Sequence, residues 1–77
     1  MRELLETIAK ALVDDPDRVQ VRAVEGEEVT VLELRVDPSD VGKVIGRNGR
    51  NVNSMRTILA AAGMKLRRRI TLEVLER

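Results

Sequence analysis

The sequence predicts an α+β fold: one domain in the order α-β-β-α-α-β, with three helices covering one face of a three-stranded mixed sheet. Three observations lead there. Two long stretches place apolar residues at helical spacing, three others alternate apolar with polar residues, and a short helix joins the second long helix between the last two alternating stretches. That intervening pair forms a crossover, so the strands it connects should run parallel. At 77 residues the chain has room for one domain and no more.

From Arg2 to Val13, the residues Leu4, Leu5, Ile8, Ala11 and Leu12 recur at intervals of three and four, which gives an amphipathic helix. Asp14-Asp15-Pro16 ends it, because Pro16 holds Asp15 extended. Val19, Val21 and Ala23 then alternate with Arg18, Gln20 and Arg22, as in a strand with one buried face. Gly26, within Glu25-Gly26-Glu27-Glu28, turns the chain into an antiparallel return from Val29 to Val36, with Leu32, Leu34 and Val36 facing inward. The alternation slips near Val31-Leu32, where a bulge would accommodate it.

Asp37 reads as the N-cap of a short helix, with Pro38 in its first position and Val41 and Val44 along it. Gly46 and Gly49 break that helix into a sharp loop. Val52, Met55, Ile58, Leu59 and Ala62 mark the apolar face of the next helix, which Gly63 is expected to end, with Met64 as the hydrophobic contact behind the cap. From Lys65 to Leu75 a last strand sets Leu66, Ile70, Leu72 and Val74 against Lys65, Arg67, Arg69, Thr71 and Glu73, with Arg68 out of step at its start.

Composition removes whole classes of function. With no Cys and no His there is no thiol nucleophile, disulfide framework, imidazole base or ordinary zinc site, and Asp14, Asp15 and Asp17 read as capping and solubilising residues. No enzyme, metal or cofactor is expected. With no Phe, Tyr or Trp there is no aromatic platform on which bases could stack. No stretch approaches a membrane span and the N-terminus carries acids, so a cytoplasmic protein without a membrane partner is expected.

The near-neutral total conceals an uneven distribution. Residues 1–40 hold 5 basic and 11 acidic side chains, a balance of −6, whereas residues 41–77 hold 9 and 2, a balance of +7. That asymmetry points to a polyanion on the second half of the chain.

Within that half lies Gly42-Lys43-Val44-Ile45-Gly46-Arg47-Asn48-Gly49-Arg50-Asn51-Val52. It is not a P-loop, since Arg50-Asn51 follows the last glycine and a helix precedes the first. Nor is it a dinucleotide fingerprint, since its spacing is G-x-x-x-G-x-x-G. A glycine loop between two helices instead lets a sugar-phosphate backbone lie against bare main chain. Amides at the start of the following helix can then donate to phosphate oxygens, with Lys43, Arg47 and Arg50 adding charge.

Val44-Ile45-Gly46-Arg47-Asn48-Gly49-Arg50-Asn51-Val52 resembles the KH pattern V-I-G-x-x-G-x-x-[IV], and the α-β-β-α-α-β order is similar to the type II KH fold over the whole chain, residues 1–77. Among such domains, the chain resembles the small stand-alone bacterial KH proteins of the KhpA family. The resemblance implies an RNA-binding protein, a post-transcriptional regulator or RNA chaperone, that grips single-stranded RNA through the GXXG loop. It implies a clamp at Gly46, Arg47, Asn48 and Gly49, with Arg50 and Lys43 beside it and Val44, Ile45 and Val52 lining a groove together with Leu34 or Val36. It further implies a homodimer, or a heterodimer with a larger KH-containing protein of the KhpB kind. The competing reading is a protein-interaction adaptor that uses the same fold mainly to dimerise, with Ala60, Ala61 and Ala62 as a small-residue surface.

Overall fold

The structure is a computed structural model that describes residues 2–75. α1 (Arg2–Leu12) turns Leu5 and Ala9 fully inward with Ile8 and Leu12 half-buried, whereas Leu4 and Ala11, expected on the same face, are exposed. After a 3-10 turn at Pro16–Arg18 the chain enters β1 (Gln20–Glu25), which pairs antiparallel with β2 (Val29–Arg35). A second 3-10 turn, Pro38–Asp40, leads into α2 (Val41–Ile45). A third, Arg47–Gly49, separates α2 from α3 (Arg50–Leu66), and β3 (Arg69–Leu75) closes the sheet. The strand order is β1-β2-β3, with β3 parallel to β2, as the crossover demanded.

The core is entirely aliphatic apart from Met55. Leu5, Leu32, Leu34, Val36, Val44 and Leu59 are the most deeply enclosed apolar side chains, and Val19, Val52, Ile70 and Leu72 complete the layer between sheet and helices. Each such side chain contributes roughly 1.5–3 kcal/mol on burial, so a small domain without aromatic residues depends on nearly all of them.

Four details depart from the periodicity. The pairing of β1 with β2 runs without a bulge, Ala23 opposite Leu32 and Val24 opposite Val31. The slip disappears because Thr30 is the inward residue before Leu32; it is buried, and its hydroxyl accepts from Arg68 Nε at 3.1 Å. Burial fades from Val19, just ahead of β1, through half-buried Val21 to exposed Ala23.

Gly63 does not end α3. It is buried within the helix, where an added Cβ would stand 2.5 Å from the Arg68 carbonyl oxygen and 3.2 Å from Ile70. Glycine there serves a close approach of main chain. The helix ends three residues further on, at Leu66, in the expected type of cap: Arg68 N–H donates to Gly63 O at 2.9 Å and Arg67 N–H to Met64 O at 3.2 Å. Arg67 takes the left-handed position (φ 56°) usually given to glycine. Consequently β3 starts at Arg69 rather than Lys65, Leu66 stays exposed in the helix, and Met64 packs behind no cap, being 79% exposed. Ile58, expected on the apolar face, is also exposed.

Candidate nucleic-acid interface

The loop is built from its flanks. Asp37 caps the turn ahead of α2, its carboxylate accepting from Ser39 N–H at 2.9 Å and Ser39 Oγ–H at 2.7 Å, with Pro38 in the first position. The Ser39 hydrogen bonds, helped by Arg18 nearby, hold the Asp37 carboxyl below its ordinary 3.8. α2 then lasts five residues and stops as Gly46 N–H donates to Gly42 O at 2.9 Å.

Three positive-φ residues, Gly46, Asn48 and Gly49, surround the tip. Gly46 lies at φ 76°, ψ 172°, a region essentially reserved for glycine, while Asn48 (φ 55°, ψ 27°) and Gly49 (φ 76°, ψ 13°) are left-handed. Asparagine is among the few side chains that tolerate such a conformation, which accounts for its place here. Gly49 N–H donates to Gly46 O at 3.1 Å and Arg50 N–H to Arg47 O. The amides of Arg47 and Asn48, at the tip, take no part in these bonds. The tip therefore offers two further donors next to the first turn of α3, to which the sequence pointed.

Of the residues expected at the site, Arg47, Asn48 and Arg50 are exposed around that tip, and Gly46 and Gly49 are half-buried beneath it. The apolar candidates divide. Ile45 is 38% exposed beside the loop, but Val44 is fully enclosed and Val52 nearly so. Leu34 and Val36 are wholly buried as well, which withdraws them from any groove wall. These four carry the loop by filling the core under it.

Lys43 is exposed but engaged. Its ammonium is hydrogen-bonded to Asp14 and lies 3.6 Å from Oδ1 of buried Asp40, and the Asp14 bond raises its pKa above the ordinary 10.5. Asp40 in turn accepts from Asp15 N–H at 3.2 Å, joining the turn after α1 to the base of α2. The Asp-x-x-Lys spacing of Asp40 and Lys43 is an ion-pair pattern that could have revealed this link in advance. Asn51, which donates from Nδ2 to Lys43 O at 2.8 Å, had no comparable signal.

The other basic cluster is arranged differently. Arg68 is spent on the hairpin turn, donating to Gly26 O at 2.8 Å, Glu27 O at 3.2 Å and Thr30 Oγ1 at 3.1 Å. Arg67 and Arg69 remain exposed next to Glu28. Among the described residues, no group of His, Cys, Asp or Glu side chains could hold a metal ion, and no helix is long and apolar enough to cross a membrane.

Known proteins agree with this architecture. The family model for the KH domain of KhpA and KhpB matches residues 2–74. The RNA-binding protein KhpA of Aquifex aeolicus is 50% identical over 76 residues, covering 99% of this chain and 96% of the relative. KhpA of Clostridium acetobutylicum is 52% identical, covering 97% of this chain and all of the relative, and KhpA of Borreliella burgdorferi is 53% identical, covering 96% and 90%. A type II-like KH order, a glycine loop between α2 and α3 and likeness along almost the full length agree: the chain belongs to the KhpA/KhpB family of KH domains.

Proposed function

We propose that this protein is a non-catalytic RNA-binding module that grips the sugar-phosphate backbone of single-stranded RNA with the loop Gly46–Gly49. The observation that carries the reading is the tip itself. Two main-chain amides outside the loop's own hydrogen bonds stand among the exposed side chains of Arg47, Asn48 and Arg50, on a backbone bent by three positive-φ residues. Such a surface suits a phosphate, which carries no sequence information, so binding is weakly sequence-selective and extends over about four nucleotides. Ile45 offers the one open apolar contact among the groove candidates.

In a cell the module acts in the cytoplasm as a post-transcriptional regulator or RNA chaperone. Single-clamp affinity is low, and pairing with a second KH-containing chain, a copy of itself or a larger KhpB-like protein, raises it through effective concentration along one strand. Exposed Ile58, Ala61 and Met64 on α3 support such pairing.

Replacing Arg47 and Asn48 together with Asp tests the reading. Two carboxylates at an exposed tip repel phosphate and leave the core untouched. Titration of labelled single-stranded RNA should show affinity falling by about a hundredfold, roughly 2.7 kcal/mol, with the melting curve preserved. Undiminished binding by the folded variant rejects the clamp.

A further inference from the structure

We propose that Asn51 is the positioning residue of the clamp, setting the loop conformation that RNA meets; this rests on the RNA-clamp reading above. α2 is only five residues long, far too short to persist without outside support. Its last carbonyls need donors from elsewhere. Gly46 N–H supplies one to Gly42 O, and the Asn51 side chain supplies another, reaching back from the first turn of α3 to Lys43 O at 2.8 Å. The carboxamide is thus a strap across the base of the loop.

The same side chain shapes the loop by volume. A Cβ built on Gly46 would stand 2.7 Å from Asn51 Cγ, 2.9 Å from Nδ2 and 3.0 Å from Cβ. Gly49 is different: a Cβ there would meet Asn53 Nδ2 at an ordinary 3.5 Å. Asn51 therefore fills the space that Gly46 leaves open and holds its main chain in the glycine-only conformation.

The far end of the strap is fixed too. Lys43, whose carbonyl Asn51 grips, is anchored through its ammonium to Asp14 and faces Oδ1 of buried Asp40 at 3.6 Å. Without the carboxamide, the last turn of α2 frays and the tip samples several conformations. Apparent affinity then drops by the fraction of molecules still competent to bind.

The test compares the wild-type protein with Asn51→Ala and Asn51→Leu, the second keeping bulk beneath Gly46 while removing the donor. The probe is a fluorescein-labelled single-stranded RNA of about a dozen mixed nucleotides, long enough to cover the clamp. Either variant should raise Kd about fivefold, the scale of one lost hydrogen bond. The slope of log Kd against log salt should stay as in the wild type, because the cations that meet phosphate are unchanged. Hydrogen exchange at the Gly46 and Gly49 amides should accelerate more than at the core amides of β2.

Affinity within about twofold of wild type for a folded variant overturns the proposal. So does weakened binding with no faster exchange at the Gly46 and Gly49 amides, which would make Asn51 a direct RNA contact rather than a positioning residue. If Asn51→Ala does not fold, Asn51→Leu carries the same comparison. The Arg47→Asp, Asn48→Asp double variant separates the two levels. Loss of binding there with full binding by the Asn51 variants removes the positioning role alone, whereas full binding by the double variant removes the clamp itself.

Discussion

The two ends of α3 are both basic and are organised in opposite ways. At its N-terminal end, Arg47 and Arg50 flank main chain whose tip amides, those of Arg47 and Asn48, lie outside the two bonds that close the loop. At its C-terminal end, the denser run Lys65, Arg67, Arg68 and Arg69 meets a hairpin turn containing Glu25, Glu27 and Glu28, and Arg68 is consumed in bonding that turn to β3. Counting cations would choose the second end. Asking where main-chain donors point, and which cations have carboxylates beside them, chooses the first.

The sharpest way to break this contrast is to stiffen the first end. Gly46→Ala forces a glycine-only conformation onto a side chain and drives its Cβ into Asn51, so RNA affinity should fall roughly a hundredfold. Gly49→Ala, left-handed but uncrowded, should cost only about threefold. Equal losses in the two titrations would show that conformation alone, without the Asn51 contact, makes the loop.

The second end should respond in stability instead. Gly63→Ala places a methyl 2.5 Å from the Arg68 carbonyl oxygen, and denaturant unfolding should register a loss of about 2 kcal/mol while the folded fraction binds RNA as before. A weaker effect is expected when Lys65, Arg67 and Arg69 are all changed to Gln. Kd should rise less than about threefold through the long-range field alone. A tenfold loss would place RNA at both ends and erase the distinction.

The smallest effect concerns the cap beneath α2. Because hydrogen bonds from Ser39 lower the Asp37 pKa from 3.8, the stabilisation is complete above that value and disappears as pH falls through the lower folded-state value. Asp37→Asn keeps an acceptor for Ser39 and removes the charge, so melting temperature should decline less steeply in acid than in the wild type. Parallel declines would show that the carboxylate charge contributes nothing to the cap.

Much of this was legible in the sequence. Helical spacing located α1 and most of α3, the Asp37-Pro38 pair located the start of the turn before α2, and the crossover required the parallel β2–β3 pair. The misread features share a cause: local pattern was outweighed by a partner distant in sequence. Gly63 looked like a stop because a glycine after an apolar face usually is one, yet here the space belongs to the chain arriving at Arg68. Thr30 broke the apolar alternation of β2 because its inward hydroxyl serves a guanidinium 38 residues away.

At the site, the glycines and arginines could be read directly, since their chemistry depends on exposure and backbone freedom. Val44 and Val52 could not, because the same apolar residue serves a groove wall or a core depending on a rotation of a few tens of degrees about the helix axis. Burial decided for the core.

The hold of Arg68 on Gly26, across 42 positions, has a consequence for how the molecule is made. α3 leans on β3, so a nascent polypeptide halted before Arg68 has the residues of the loop but no floor to hold them. A product terminated ahead of β3 therefore lacks the support on which the proposed RNA contact rests.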